Sequence, residues 1–276
     1  MIFIVGLIVY ENAVNNNFVW LDSTYILSLG NAHNIQIYQL FQGSILTAAG
    51  YYRPFNAIYY VVMYSLFQNH AAYYHLFQII IHCTNALLIF IIFRKYFKKH
   101  IAFVLSLLFL VHPIIESNAT FISNSADTLY FFFGLLAFAS SLYIKNLLKK
   151  TILTAIFVLC SLFFKESGVL FIILILKAEF LYRKKTFSVS FAYLSITLLF
   201  YLGFRYLMQG FTYYQSGINP IMRLSLEERL LNIPSIVLFY IRYLFIPYRI
   251  GANHNWVYTN ITVEHFFFLL VLIVSF

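Results

Sequence analysis

The chain has 276 residues, of which 62% are hydrophobic and only 10% are charged. Soluble domains carry about 25% charged residues, so this composition excludes a water-soluble fold of the same length. The formal charge of +9 comes from basic residues at the ends of apolar runs, which indicates membrane topology signals and argues against a nucleic-acid partner.

The N-terminal part of the chain predicts one short helix and a long loop. The apolar run 2–10 lacks the basic start and small-residue cleavage site of a signal peptide, so we expect a first membrane helix there. The segment 11–69 is predicted to be the first outer loop. Within it, 34–46 and 55–67 resemble helices that lie in the membrane interface.

Six further apolar runs predict α-helices that cross the bilayer, since about 20 residues rising 1.5 Å each span its hydrocarbon layer. They cover 73–93, 101–113, 128–144, 151–164, 168–182 and 186–207. A second outer loop, 208–229, precedes an interrupted apolar stretch at 230–247, and the last run, 265–276, is too short to cross. We therefore expect an all-α, polytopic transmembrane helix bundle of about eight or nine helices, one domain over 1–276 that is truncated at its C-terminus.

Charge placement divides the predicted loops between two faces. By the positive-inside rule, three basic clusters mark cytoplasmic loops: Arg94, Lys95, Lys98 and Lys99; Lys145, Lys149 and Lys150; and Lys177, Arg183, Lys184 and Lys185. Most acidic residues fall on the other face, namely Glu11, Asp22, Glu116, Asp127, Glu166, Glu227 and Glu228, whereas Glu179 does not. This asymmetry fits either simple charge balance or an active site on the outer face.

The first outer loop contains the sharpest set of candidate residues. Asp22, one of two aspartates in the chain, follows an aromatic stretch and could act as a general base toward a hydroxyl. Arg53 could hold a phosphate. The alternative for Asp22 is a helix N-cap before 25–29.

The next two predicted outer turns add further charged residues. Glu116 and Asp127 stand in the second turn, where they could instead be a solvated loop residue and a helix cap. Lys165 and Glu166 are adjacent in the third turn, where they could simply neutralise each other. These charges would form one site only if the three turns pack together.

Two histidines and two cysteines in the apolar helices carry weaker signals. His75 and His82 share a helical face with Asn85, a pattern that fits interhelical hydrogen bonding better than a metal site. Cys83 and Cys160 lie inside apolar helices and predict neither a disulfide nor a metal site.

Taken in order, these blocks resemble the GT-C membrane glycosyltransferases, in particular the transmembrane and tetratricopeptide-repeat O-mannosyltransferases and their bacterial relatives. The resemblance extends over almost the whole chain. It is carried by Phe18-Val19-Trp20-Leu21-Asp22 with Ile26, Tyr52-Arg53-Pro54-Phe55, Tyr74-His75-Leu76-Phe77-Gln78 with His82 and Asn85, Val111-His112-Pro113 with Glu116, Ala126-Asp127, Lys165-Glu166-Ser167-Gly168, and Asn219-Pro220 through Arg229 to Ile246-Pro247 and Ile250.

The resemblance implies inverting transfer of a mannose-like sugar from a polyprenyl- or dolichyl-phosphate donor to a hydroxyl of a protein or glycan. Asp22 would be the base, and Arg53 with Arg223 or Arg229 would meet the charge of the phosphate leaving group. Glu116, Asp127, Lys165 and Glu166 would complete the substrate site. No metal or cofactor is required, and the site would face the lumen or exterior from the endoplasmic reticulum membrane or the bacterial inner membrane.

The sequence departs from this family at two features. Its members usually carry two adjacent acidic residues in the first loop, and Leu21 stands at the first of these positions. The tetratricopeptide array of the better-known members is absent from these 276 residues. The rival interpretation is therefore a non-catalytic membrane protein, either a lipid-sugar transporter or a decayed scaffold.

Overall fold

The structure, a computed structural model, describes residues 1–27, 36–42, 51–210, 220–248 and 257. Every regular element within these ranges is helical, and none of these residues forms a strand. The all-α prediction is thus confirmed for the described residues. The chain divides into two compact units, Met1–Thr212 and Tyr213–Phe276.

The described part of the first unit contains ten α-helices. Their bounds are α1 Ile2–Tyr10, α2 Ile37–Phe41, α3 Pro54–Phe67, α4 Ala71–Phe93, α5 Lys99–Val111, α6 Ser117–Thr120, α7 Ser125–Tyr143, α8 Leu147–Phe164, α9 Val169–Tyr182 and α10 Lys184–Gln209. The predicted interfacial helix at 55–67 corresponds to α3. Of the one predicted at 34–46, residues 36–42 are described and contain α2, whereas 34–35 and 43–46 lie outside the described residues.

Four helical segments among the described residues are long and apolar enough to cross a membrane, and their bounds are Ala71–Phe93, Ile122–Tyr143, Leu147–Phe164 and Lys184–Gln209. A fifth is present if Lys99–Val111 and Pro113–Thr120, which meet at a bend of 52°, form one broken span. A proline has no N–H to continue a helix, and Pro113 lies at the bend. This number supports a membrane protein, while the predicted total of eight or nine helices stays a prediction.

The start of α8 differs from the prediction, which began that helix at residue 151. The helix begins at Leu147 because the Asn146 side chain accepts a hydrogen bond from the backbone N–H of Lys149 at 2.9 Å. The prediction, which rested on hydropathy, placed Lys149 and Lys150 in the loop before the helix. The cap lies in the polar sequence before the apolar run, and it adds one helical turn.

The core of the first unit lies where α7 packs against α8 and α4. The α7–α8 side of this core is filled by Ala137, Val158 and Leu162, which are almost completely buried. Gly134 of α7 lies directly against the Phe171 ring of α9, and a methyl group at that position would overlap the ring. Close helix contact through a small residue is typical of membrane bundles.

The three basic loops meet at one end of this unit. The Nζ of Lys95 donates to the carbonyl of Leu142 at 2.8 Å, and the Arg183 guanidinium donates to the carbonyls of Ser141 and Leu142 at 2.9 and 2.6 Å. These carbonyls belong to the last turn of α7, where intrahelical donors are lacking and cations are favoured. The predicted grouping of the basic loops on one face agrees with these contacts. That this face is cytoplasmic stays a prediction.

The second unit contains a turn at Pro220–Arg223 and the helix α11, Leu226–Phe245. A reciprocal cap starts α11: Ser225 Oγ accepts from the Glu228 N–H at 3.3 Å, and Glu228 Oε2 accepts from the Ser225 N–H at 2.8 Å. Pro234 lies inside the helix without ending it. With Glu227, Glu228, Arg229 and Arg242, α11 is too charged to count among the candidate spans.

Candidate functional site

The charged residues of the three predicted outer turns converge at the end of the first unit opposite the basic loops. Asp22 contacts Ser123 in the turn before α7, and Arg53, just before α3, contacts Glu166 in the α8–α9 turn. Lys165 of that same turn contacts Asp127 in the first turn of α7. The condition that the sequence left open, that these turns pack together, is met in the structure.

Asp22 is completely buried, and its carboxylate links two segments. Oδ1 accepts from the backbone N–H of Ser123 at 2.7 Å and also from the Ser123 hydroxyl, and Oδ2 accepts from the Val19 N–H at 3.3 Å. Within the described residues no hydrogen bond joins this carboxylate to the turn that follows it. The cap alternative is therefore not what the structure shows, and Asp22 instead fixes its loop to the start of α7.

The backbone around Asp22 explains how the loop reaches this position. Trp20 has a φ of 52°, in the left-handed region that costs free energy for a bulky residue. The turn is closed by a hydrogen bond from the Asp22 N–H to the Val19 carbonyl at 2.9 Å. As a result the indole of Trp20 remains 60% exposed while the adjacent carboxylate points inward.

Arg53 and Glu166 form a two-pronged ion pair. Arg53 Nε lies 3.3 Å from Glu166 Oε2, and Arg53 Nη2 lies 2.9 Å from Oε1. Burial of the Glu166 carboxyl opposes its ionisation, but the hydrogen bond and charge of Arg53 outweigh this and lower its pKa. Burial alone would lower the pKa of Arg53. The hydrogen bond and charge of Glu166 outweigh burial, so this pKa is raised.

The Arg53 guanidinium is held in place, and some of its N–H groups remain available to a ligand. The ring of Tyr51 lies 4.4 Å from its Cζ and covers one face, and 20% of the side chain remains exposed. Within the described residues Nη1 has no hydrogen-bond partner. A planar fork with free N–H groups can bind a phosphate oxygen, which is the role predicted for this residue.

The third pair joins Lys165 and Asp127, with Nζ 2.5 Å from Oδ1. The lysine also lies 5.7 Å from the centroid of the Tyr130 ring. Asp127 is in the first turn of α7, where a negative charge complements the free backbone N–H groups of the helix. The alternative given by the sequence was mutual neutralisation of Lys165 and Glu166. Each instead pairs with a residue distant in the sequence.

Of the remaining predicted site residues, Glu116 belongs to the first unit and lies outside this cluster. Glu116 is exposed and its Oε1 accepts from the Thr120 hydroxyl at 3.3 Å, which agrees with the solvated loop alternative. Arg223 and Arg229 belong to the second unit, in which Arg229 Nε donates to the Leu224 carbonyl at 3.0 Å. Their predicted role toward a phosphate stays a prediction.

Three polar residues that were not selected from the sequence support the site from α3 and α7. The Ser125 hydroxyl donates to Asn56 Oδ1 and lies 2.9 Å from the Tyr60 hydroxyl, which itself donates to the Ile122 carbonyl at 3.3 Å. Burial raises the pKa of Tyr60, which therefore remains protonated and acts as a donor. The polar run 123–127 was a signal for Ser125, whereas no sequence pattern marks Tyr60.

The two histidines of α4 have different surroundings. His82 Nε2 donates to the Leu110 carbonyl at 3.0 Å, so the predicted interhelical hydrogen bond is confirmed for this residue. His75 is buried near Asp22 and faces the carbonyls of Asn16, Asn17 and Thr120, but none of these meets the geometry of a hydrogen bond. Among the described residues no three His, Cys, Asp or Glu side chains group as metal ligands.

We compared the chain with known protein families, curated proteins and solved structures. The chain matches no protein-family model, no curated protein and no solved structure.

Proposed function

We propose that this chain is a membrane glycosyltransferase that moves a mannose-like sugar from a polyprenyl- or dolichyl-phosphate donor to a hydroxyl of a protein or glycan, with inversion. The observation that supports it most is the convergence of Asp22, Arg53, Asp127, Lys165 and Glu166 at one end of the helix bundle. Asp22 is the base that removes the proton of the acceptor hydroxyl. Arg53 meets the charge that develops on the departing lipid phosphate.

The net charge of the cluster indicates that the donor phosphate needs additional cations. Arg53 and Lys165 are the cations of its two ion pairs, and with Asp22, Asp127 and Glu166 these five residues sum to one net negative charge, which disfavours an anionic donor. Further cations must therefore approach the phosphate. Arg223 and Arg229 are the residues proposed for that role, and the lipid bilayer holds the polyprenyl chain.

The experiment measures transfer of radiolabelled sugar from a panel of polyprenyl-phosphate sugars by membranes that contain the full-length protein. Wild type is compared with Asp22→Asn, whose amide oxygen can still accept from Ser123 while the longer bond from the Val19 N–H is lost, so folding of this variant is checked by thermal unfolding. Glu11→Gln is the matched control, because it removes an exposed carboxylate of the same predicted face that has no hydrogen bond among the described residues. Label transferred by wild type and Glu11→Gln but not by Asp22→Asn is the expected result.

A second candidate function, a non-catalytic scaffold or lipid-sugar transporter, is favoured by the burial of Asp22. With no exposed surface, this carboxylate reaches an acceptor only if the residues that cover it move. Equal transfer by Asp22→Asn and wild type would remove Asp22 from the mechanism. No transfer from any donor by inserted, folded wild-type protein would favour the scaffold or transporter.

A further inference from the structure

A cavity of about 550 Å³ lies in the first unit near the end where the basic loops meet, away from the charged cluster described above. Its apolar wall includes Ile2 of α1, Leu87 and Phe90 of α4, and Phe103 of α5. Lys99 and His100, the first residues of α5, also line it. The cavity thus combines an apolar interior with basic side chains on one side.

The basic side chains around this cavity are available to a ligand. Lys99 and His100 are exposed, and within the described residues neither has an ion-pair or hydrogen-bond partner. Arg94 is also exposed, and its Cζ lies 5.9 Å from the ring centroid of Phe90, which forms part of the cavity wall. Two other basic residues at this end, Lys95 and Arg183, differ from them because their side chains are bound to carbonyls of α7.

The position of the cavity along the helices matches a particular depth in a bilayer. Phe90 lies in the last turn of the candidate span Ala71–Phe93, and the basic residues 94–99 follow directly. Apolar helix ends followed by lysine and arginine lie where acyl chains give way to phosphate headgroups. An occupant at this depth would place hydrocarbon in the cavity and a negative charge beside Lys99.

We propose that this cavity is a binding site for an anionic phospholipid, with an acyl chain against Leu87, Phe90 and Phe103. The phosphate is bound by Lys99, His100 and Arg94. A zwitterionic phospholipid offers the same hydrocarbon but less net charge, so the cations make the site selective for the headgroup. The site is independent of any sugar transfer, and its occupancy is measured without an activity assay.

The experiment uses native mass spectrometry of the purified full-length protein in a nonionic detergent, titrated with phosphatidylglycerol or with phosphatidylcholine of the same acyl chains. Wild type should retain phosphatidylglycerol preferentially. Lys99→Gln should weaken phosphatidylglycerol binding about fivefold and Arg94→Gln by a similar factor, since a cation near an anionic headgroup contributes on this scale. Lys149→Gln, an exposed basic residue at the same end but outside the cavity wall, is the matched control and should bind like wild type.

A third variant tests the apolar part of the site. Leu87→Trp fills the cavity and should weaken the binding of both lipids, with folding checked by thermal unfolding. Equal retention of the two lipids by wild type, or an equal loss in Lys149→Gln and Lys99→Gln, would overturn the proposal in favour of unspecific attraction. Competition by millimolar glycerol phosphate as strong as that by the lipid would also overturn it, because the acyl chain would then contribute nothing.

Discussion

Arg53 and Glu166 are 113 positions apart in the sequence, and their side chains meet in an ion pair with contacts of 2.9 and 3.3 Å. The pair connects the start of α3 to the turn between α8 and α9. One end of Arg53 is thereby fixed, while Nη1 remains free of any partner among the described residues. The same guanidinium thus binds Glu166 through Nε and Nη2 and can offer Nη1 to the proposed phosphate.

The ion pair predicts how stability depends on pH. The pKa of Glu166 is lowered in the folded state, so its contribution is present above the ordinary value of 4.5 and is lost as the pH falls through the lower, folded value. We expect the Tm of the detergent-solubilised protein to fall at acidic pH more steeply in wild type than in Glu166→Gln. Because 41% of the Glu166 side chain is exposed, the difference should be about 1 kcal/mol or less.

Glu11→Gln provides the control for this pH effect. Its carboxylate is exposed and has no ion pair among the described residues, so this variant should keep the wild-type pH profile. If Glu166→Gln shows the same acid dependence as wild type, the ion pair does not contribute to stability.

The bond between Ser123 and Asp22 predicts a second effect. Ser123→Ala removes the hydroxyl donor to Oδ1 but keeps the backbone N–H that donates to the same oxygen at 2.7 Å. We expect a loss of about 1.5–3 kcal/mol in thermal unfolding, as for other hydrogen bonds to a carboxylate. Ser65→Ala, whose hydroxyl binds only the local Val62 carbonyl at an exposed site, should cost less than about 0.5 kcal/mol. Equal stabilities of the two variants would show that the Ser123 hydroxyl is dispensable.

Much of the helical framework could be predicted from the sequence because apolar runs and charges delimit the helices. The runs 73–93, 128–144 and 186–207 correspond to Ala71–Phe93, Ser125–Tyr143 and Lys184–Gln209. Helix formation over these lengths depends on local hydropathy and on the need to satisfy every backbone group within the segment. Because successive crossing helices alternate in direction, the order of the helices also predicts which turns lie at the same end of the bundle.

The pairing of side chains within the site could not be predicted in the same way. Ser123 and Asp22 are 101 positions apart, and Lys165 and Asp127 are 38 apart, so no local spacing connects them. Which partner each charge selects depends on how α7, α8 and the first segment pack. Hydropathy does not encode that packing. The sequence therefore identified the charged residues but not their partners.

A buried ion pair near the basic end predicts a large effect of a single change. Lys150 Nζ and Glu179 Oε1 are 2.9 Å apart with side-chain exposures of 3% and 2%, and the Thr186 hydroxyl donates to the other carboxylate oxygen. Glu179→Gln leaves a buried ammonium without a counter-charge, and we expect a loss of about 3–5 kcal/mol in thermal unfolding. The matched control is Lys149→Gln, an exposed neighbour that should change stability by less than about 0.5 kcal/mol.

The double variant Lys150→Met with Glu179→Leu separates the cost of an unpaired charge from the value of the pair itself. Removing both charges avoids the buried ammonium, so we expect stability close to that of wild type. A double variant as unstable as Glu179→Gln would mean that packing around the two side chains, and not the unpaired charge, determines the loss.

The contact between Gly134 and Phe171 predicts opposite effects of one substitution at two helical glycines. Gly134→Ala places a methyl group where the Phe171 ring lies, so the ring or the two helices must shift, and we expect a loss of about 1–3 kcal/mol. Gly203 of α10 has open space around the same position. Gly203→Ala should therefore stabilise the helix by up to about 1 kcal/mol, since glycine is the poorer helix former. Thermal unfolding of both variants in one detergent measures the contrast, and a stabilising Gly134→Ala would contradict the close packing of α7 on α9.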